Sequence, residues 1–383
     1  MYVLGFLIAV GPVSVDMYLP AFGQIAARFG STVPQLTLAS YFAGFSIGQL
    51  IQGLLADRLG RRASLAVGLG LYTLASFACA AAQTGLEFCA FRALAAFGAA
   101  ASIVVPRAMV RDIADGAEAA GLMSDVLLVM SVAPVVAPVF GGLLLRVADW
   151  RVIFLAAAVY GIAGLCILER YLPETLPPGR RKGFGFFKPM ESYGKVLREP
   201  RFLVHTAIGA FGMAALFAYL AGAPTVFMTQ LGLSPSAFAV LLAILGLLMV
   251  GFFRINSWLV RRRDVSIALC VGIAIWISSG IALCALAWTG VSSASAIFAA
   301  LVAFVLGYSF IPSNAQVGAL SRHAEHAGIA TSLMSTLQYG AGALAGALIG
   351  AFADGSARPM AAIILACGFG AMLASRIRVR ADT

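Results

Sequence analysis

Apolar stretches about as long as a bilayer-spanning helix recur along the whole chain, and this pattern limits the possible folds more than any other feature. A helix needs about 20 mostly apolar residues to cross the hydrocarbon core of a membrane. The chain is 61% hydrophobic and 11% charged, whereas a soluble domain carries roughly 25% charged residues. The sequence therefore predicts an integral membrane protein that crosses the bilayer many times.

We predict an all-α integral membrane fold with twelve transmembrane helices in two six-helix bundles. Membrane β-strands are excluded because no alternating segments of about ten residues occur between turns. The longest polar stretch divides the chain into an N-terminal bundle at 1–172, a cytoplasmic linker at 173–200 and a C-terminal bundle at 201–383. The spans are predicted at 2–25, 33–55, 63–82, 86–109, 119–144, 151–171, 202–227, 235–257, 265–287, 293–317, 327–352 and 358–375.

The placement of basic residues indicates the orientation. The chain has 26 Lys and Arg residues and a net charge of +10, and most of these residues lie in short clusters in alternate loops. Because cytoplasmic loops carry an excess of Lys and Arg, this bias places both termini in the cytoplasm. The clusters form no continuous basic face with interleaved aromatic residues, so we do not expect a nucleic-acid partner.

The two halves of the sequence resemble each other weakly. A shift of 201 residues places Arg61 and Arg62 on Arg262 and Arg263, and both pairs follow the second span of their half. Internal repeats of this kind are typical of transporters, whose substrate site lies at the interface of the repeats.

The loop GLLADRLGRR at 53–62 joins the second and third spans. Gly60 permits a tight turn that bulky residues resist, and the simplest interpretation is a topogenic loop with solvated charges. The spacing is more specific than that, and it resembles the signature loop of the major facilitator superfamily. In that family the loop latches the cytoplasmic ends of the two halves. The resemblance implies a latch formed by Gly53, Asp57, Arg58, Gly60, Arg61, Arg62, Arg111 and Asp112.

The fifth span contains SVAPVVAPVFGG at 131–142. Pro134 and Pro138 each remove a backbone donor and bend a helix, while Gly141 and Gly142 allow close helix contact. An ordinary kinked transmembrane helix is one interpretation. The double proline followed by two glycines also resembles the antiporter motif of drug:proton exchangers, which is thought to seal the interface against leak.

Five further segments are informative: DMYLPAF at 16–22, RAMVRDI at 107–113, WRVIF at 150–154, ETLPP at 174–178 and SNAQVGAL at 313–320. Together they resemble the bicyclomycin and chloramphenicol resistance (Bcr/CflA) branch of the superfamily. This resemblance implies a central cavity between the bundles and export of small antibiotics in exchange for protons, in the bacterial cytoplasmic membrane. It implies small-molecule substrates, protons and the lipid bilayer as partners, no cofactor, and a monomer.

Asp16 is an acidic residue within an otherwise apolar first span. A carboxylate in hydrocarbon needs a partner or a proton, and intramembrane ionisable groups usually mark ion or substrate paths. Arg92 in the fourth span lies within about 5 Å of the same depth, at ~1.5 Å per helical residue. We predict that Asp16 and Arg92 form the proton-coupling pair, with a structural salt bridge as the alternative. Asp125 in the fifth span is a second acidic candidate.

Polar and aromatic residues within the spans are candidates for the substrate cavity. They are Tyr18, Tyr41, Gln49, Arg107, Tyr219, Asn314 and Gln338.

Other functions remain open. An exporter of an endogenous metabolite could have the same fold, because a fold does not determine its substrate. A membrane-embedded enzyme needs clustered His or carboxylate residues, and we find no catalytic or metal constellation in the spans. His323 and His326 form an HxxH sequence that we interpret as a solvated loop. A channel needs a symmetric pore from several copies, which the repeat within one chain disfavours.

Overall fold

The computed structural model describes residues 2–114, 116–181, 193–290, 293–321 and 327–377. Helices account for most of these residues. In chain order the longer helices are α1 (Tyr2–Ile8), α2 (Val10–Asp16), α3 (Phe22–Phe29), α4 (Val33–Leu59), α5 (Arg61–Ala81), α6 (Gly85–Ile113), α7 (Gly116–Leu144), α8 (Arg151–Tyr171), α9 (Pro200–Pro224), α10 (Pro235–Arg262), α11 (Val265–Thr289), α12 (Ala294–Tyr308), α13 (Pro312–Leu320), α14 (Ala327–Ala351) and α15 (Arg358–Arg376).

The predicted spans are found as helices. Within the described chain, 10 helices or runs of helices are long and apolar enough to cross a membrane. Three of them are runs of shorter elements, at Val3–Phe29, Pro200–Gln230 and Ala294–Leu320. The two remaining long helices, α7 and α14, occupy the places of the predicted fifth and eleventh spans. The all-α membrane fold is therefore confirmed.

The first span is not one continuous helix. Helix α2 ends at Asp16, a 3₁₀ turn follows at Leu19–Ala21, and α3 then continues the span. Pro20 explains the interruption, because proline has no N–H to donate to the carbonyl four residues earlier, which is that of Asp16. The chain therefore leaves the α-helix at the one acidic residue of this span.

The chain forms two compact units. The first contains Met1–Gly185 and Ser234–Gly246, and the second contains Phe186–Leu233 and Leu247–Thr383. In the first unit, α4 and α5 both pack against α6, and α8 packs against α5. In the second unit, α9 packs against α14 and α15, and α11 packs against α12 and α15.

One close helix contact occurs in both units. A β-carbon on Gly98 of α6 would lie 2.5 Å from the carbonyl oxygen of Gly68 of α5, and no real side chain tolerates this distance. A β-carbon on Gly307 of α12 would lie 2.8 Å from the carbonyl oxygen of Gly272 of α11. These are the third and fourth spans of each half, so the same pair of spans packs closely in both units.

Candidate functional site

Arg92 lies in a cage of aromatic rings in the first unit. Its side chain is 1% exposed, and its guanidinium carbon lies 4.3 Å from the ring centre of Tyr41 and 4.6 Å from that of Tyr18. The ring of Phe154 from α8 lies 5.6 Å away. A guanidinium that faces aromatic rings is stabilised by the negative potential of their faces, by about 2 kcal/mol for a desolvated contact.

Hydrogen bonds hold two of these rings in place. The hydroxyl of Tyr18 donates to the carbonyl oxygen of Pro34 at 2.7 Å and also contacts the hydroxyl of Thr37. The hydroxyl of Tyr41 donates to the carbonyl oxygen of Gly11 at 3.4 Å. The cage is therefore built by α4, α8 and the segment after α2 that carries Tyr18, around a side chain from α6.

Only some of the N–H donors of the Arg92 guanidinium have a hydrogen-bond acceptor among the described residues. Its Nη1 donates to the carbonyl oxygen of Ser14 at 3.3 Å and lies 3.4 Å from the Ser14 hydroxyl. Its Nε and Nη2 atoms have no hydrogen-bond partner within the described residues. The hydroxyl of Tyr72 is also buried without a partner there. A cation with free donors in an apolar region is costly unless another conformation supplies a partner.

Asp16 does not pair with Arg92 in this structure, contrary to the expectation from depth alone. Asp16 is 8% exposed, and the ion pairs between described residues do not include it. The depth argument ignored the helix face. Ser14 faces Arg92, and a residue two positions further is rotated by about 200° around the helix axis.

The segment predicted to be an antiporter motif lies directly against the break in the first span. A β-carbon on Gly141 of α7 would collide with the carbonyl oxygen of Met17, the residue after Asp16. Both prolines of the motif, Pro134 and Pro138, lie within α7. The glycine thus allows α7 to touch the backbone at the point where the first span leaves the α-helix.

The predicted latch brings two acidic residues onto one arginine. Arg61 Nη1 lies 2.6 Å from Asp57 Oδ1, and Arg61 Nε lies 2.8 Å from Asp112 Oδ2. Asp57 lies in the last turn of α4, Arg61 begins α5 and Asp112 lies in the last turn of α6, so three spans meet here. We refer to Asp57, Arg61 and Asp112 as the latch cluster.

Gly60 is the single residue between α4 and α5. Its φ of +98° lies in the region that favours glycine, as the tight turn in the sequence predicts. A β-carbon there would also collide with the carboxylate of Glu174. Glu174 accepts hydrogen bonds from the backbone N–H groups of Arg61 at 2.9 Å and Arg62 at 3.3 Å. The sequence reasoning noted ETLPP at 174–178 without assigning this role to its glutamate.

The other residues predicted for the latch lie around this cluster. Arg62 pairs with Glu169 of α8 at 2.5 Å; the Arg62 side chain is half-buried and that of Glu169 is largely exposed. Gly53 faces Val104 of α6. Arg58 is half-buried and Arg111 is exposed.

Comparison with known proteins identifies the family. A model of the Major Facilitator Superfamily matches residues 4–347. The chain belongs to the major facilitator superfamily.

Two relatives and one solved structure extend this major facilitator assignment. The chain is 30% identical over 368 residues to the uncharacterized MFS-type transporter YdgK of Bacillus subtilis, which covers 95% of this chain and 91% of that protein. It is 28% identical over 367 residues to a bicyclomycin resistance protein homolog of Haemophilus influenzae, covering 95% and 92%. A bacterial homolog of the human lysosomal transporter Spinster has a TM-score of 0.75 at 16% identity, covering 98% of this chain and 96% of that chain. The last likeness shows the shared fold.

Within the first half of this major facilitator chain, the predicted cavity residues have different surroundings. Tyr18 and Tyr41 are 0% and 1% exposed and pack on Arg92. Gln49 is 3% exposed. Arg107 Nη2 lies 3.8 Å from the sulfur of Met130. Their contact with a substrate stays a prediction.

The predicted cavity residues of the second half include a buried amide pair. Asn314 of α13 donates to the side-chain oxygen of Asn256 of α10 at 2.9 Å, and both are buried. Tyr219 is buried in α9. A β-carbon on Gly209 would collide with the amide of Gln338, so α14 and α9 lie close together there. Substrate contact by these residues also stays a prediction.

In the second half, the contact that corresponds to the Asp57–Arg61 ion pair has no acidic partner. Under the 201-residue shift, Asp57 and Arg61 correspond to Trp258 and Arg262. The guanidinium of Arg262 lies 4.6 Å from the ring centre of Trp258. A cation–π contact thus replaces the ion pair, and the two halves of this superfamily member differ in charge at corresponding positions.

Two groups of sequence candidates cannot be placed. The side chain of Asp125 and the residues His323 and His326 lie outside the described part of the chain. Within the described part of the chain, no cluster of three or more His, Cys, Asp or Glu side chains could hold a metal ion.

Proposed function

We propose that this chain is a drug:proton antiporter that exports small drug-like or antibiotic molecules across the bacterial cytoplasmic membrane. The observation that carries the proposal is Asp16, a buried carboxyl group at the break of the first span without an ion-pair partner among the described residues. Similarity to a bicyclomycin resistance protein homolog supports a drug as the exported molecule. We also propose that both termini are cytoplasmic and that each copy works as a monomer.

Asp16 has the properties that a proton carrier needs. A buried carboxylate costs several kcal/mol unless it is paired or protonated. A carboxyl group binds a proton when it is shielded and releases it when water or a cation reaches it. Because α2 ends at Asp16, a small change in the following turn alters which of these environments the side chain meets.

Arg92 supplies the cation in this proposal. Its guanidinium is always charged, and the cage keeps it on the Ser14 side of α2, where Nε and Nη2 have no hydrogen-bond partner among the described residues. A rearrangement of the break that turned Asp16 toward Arg92 would satisfy both groups and release the proton. Proton binding and pairing with Arg92 would then alternate during the transport cycle.

The antiporter motif connects this step to helix movement. Gly141 touches the carbonyl of Met17, so a displacement of α7 acts directly on the backbone beside Asp16. We propose that the latch cluster stabilises the cytoplasmic ends of α4, α5 and α6 while this movement occurs.

Transport in liposomes tests the proposal. The purified protein should export bicyclomycin or chloramphenicol against a concentration gradient when an opposing proton gradient is imposed. A protonophore should abolish this accumulation while leaving exchange at equal concentrations intact. Export that persists without a proton gradient, or a failure to move any tested antibiotic, would contradict the proposed antiport.

Cysteine labelling tests the orientation. The six native cysteines are first replaced, and single cysteines are then introduced at Gly179 and Thr289. Gly179 has open space around it, and Thr289 is an exposed residue at the end of α11. The first position should react only from the cytoplasmic side and the second only from outside. The reverse pattern would overturn the assigned topology.

A further inference from the structure

We propose that Glu174 is a positioning residue of the cytoplasmic latch, although it lies in the segment after the sixth span, far from the loop at 53–62 in sequence. The proposal rests on the transport function above. One carboxylate oxygen of Glu174 accepts the N–H of Arg61 at 2.9 Å, and the other accepts the N–H of Arg62 at 3.3 Å. Both N–H groups belong to the first turn of α5.

The first turn of a helix needs such an acceptor. The first four N–H groups of a helix have no partner within the helix, and a carboxylate there also meets the positive end of the helix dipole. Helix α5 lacks a capping side chain of its own, since its N-cap residue is Gly60. The missing side chain at Gly60 leaves the space that the Glu174 carboxylate occupies.

The cap fixes the position of the Arg61 backbone, from which the side chain extends. The backbone of Arg61 is bound to Glu174, while its guanidinium bridges Asp57 and Asp112. The neighbouring residue Thr175 donates its hydroxyl to Asp112 Oδ2 at 3.1 Å. Glu174 therefore holds the latch cluster at the backbone of Arg61, and the next residue, Thr175, holds it at the carboxylate of Asp112.

The local charges favour this arrangement. Arg181 Nη2 lies 3.7 Å from Glu174 Oε2, so the carboxylate has a cation beside it as well as the helix N-terminus. Glu174 also accepts the N–H of Leu176 at 2.9 Å, which folds the segment back onto itself. The start of the polar stretch between the two halves is thereby fixed to α5.

This geometry makes the cap part of the transport step. If the latch cluster opens and closes during transport, Arg61 must keep its register with Asp57 and Asp112. Without the Glu174 carboxylate, the first turn of α5 frays. The backbone of Arg61 is then no longer held in place, and its guanidinium loses its position between Asp57 and Asp112. Glu169 offers a matched control, because it pairs with the neighbouring Arg62 but its side chain is 67% exposed, and exposed pairs contribute little.

The test compares Glu174→Gln, Glu174→Asp and Glu169→Gln in the full-length protein in liposomes. Glu174→Gln should lower the export rate by about fivefold, the ratio that corresponds to the loss of an ordinary helix N-cap. Drug affinity measured on the purified protein should not change. Glu174→Asp should recover most of the rate because a carboxylate remains, and Glu169→Gln should match the unaltered protein.

A combination with Arg61→Gln separates positioning from mere stability. Glu174 binds the backbone of residue 61, so the cap survives in Arg61→Gln and Glu174→Gln should still lower the melting temperature there. Its effect on export should vanish, because no guanidinium remains to be positioned. Additive losses of export in the double variant would show a structural cap only and would overturn the proposal.

Hydrogen exchange keeps this inference separate from the transport proposal. Amides of the first turn of α5 should exchange several-fold faster in Glu174→Gln and at the normal rate in Glu169→Gln. If the unaltered protein exports no tested drug, the transport proposal fails while the exchange result still decides whether Glu174 caps α5. Unchanged exchange in Glu174→Gln would refute the cap itself.

Discussion

Gly141→Ala tests whether the antiporter motif acts on the break in the first span. The added β-carbon would collide with the carbonyl oxygen of Met17. Carbon and oxygen atoms need about 3.3 Å between them, so α7 must move away from the break by about 1 Å. The proposed proton-coupling site would then lose its alignment while the rest of the helix remains intact.

The energetic cost follows from two opposing terms. Overpacking at a close contact costs about 1–3 kcal/mol, whereas alanine in place of glycine inside a helix gains about 1 kcal/mol. The net loss of about 1 kcal/mol leaves a folded protein. Export should nevertheless fall by about tenfold or more, because a misplacement of about 1 Å is costly at a site where atoms must meet.

Gly121→Ala is the matched control in the same helix, since a β-carbon on Gly121 meets no atom within 4 Å. Gly121→Ala should be more stable than the unaltered protein, because alanine favours the helix, and it should keep normal export. The assay is the export rate in liposomes, combined with the melting temperature of the purified protein. If Gly141→Ala behaves like Gly121→Ala in both measurements, the contact with Met17 has no role in coupling.

Two further substitutions test the latch cluster and the helix ends. Asp57→Asn should lower export several-fold at near-normal expression, because Arg61 loses one of its two carboxylates but keeps Asp112; normal export would mean that the loop only sets topology. Thr84→Ala removes the capping box that Thr84 forms with Glu87 at the start of α6 and should cost about 1 kcal/mol in stability. Export per folded molecule should stay unchanged, and a loss of export without a change in melting temperature would contradict this reasoning.

The spans and the family could be predicted because their signals are local in sequence. Apolar stretches of bilayer length predicted each long helix, and the spacing of GLLADRLGRR predicted that Asp57 and Arg61 belong together. Pro20 also gave a local reason to expect an interruption, although the sequence reasoning treated the first span as one helix. Patterns of this kind need no knowledge of which helices are neighbours.

The aromatic cage around Arg92 could not be predicted in this way. Its rings come from the segment after α2, from α4 and from α8, and nothing in the sequence states which faces of these elements meet. Depth along the spans led the sequence reasoning to pair Asp16 with Arg92. The side of α2 that faces Arg92 is determined by packing, and it presents Ser14 instead of Asp16.

The Glu174 cap was missed for a similar reason. Glu174 is more than a hundred residues from Arg61 in sequence. The contact forms only because the C-terminal end of α8 lies near the N-terminal end of α5, where the latch cluster lies. A signal did exist, because α5 begins after a glycine that cannot cap it. A helix start without its own capping side chain predicts that an acceptor comes from elsewhere.

The most direct test of the central claim is proton-driven export by Asp16→Asn. Asparagine keeps the size of the side chain but cannot titrate. The account predicts that purified Asp16→Asn protein in liposomes folds and binds drug without pH dependence, yet fails to export drug against its gradient when a proton gradient is imposed. Uphill export by Asp16→Asn that remains coupled to proton entry would show that Asp16 does not carry the proton and would contradict the account.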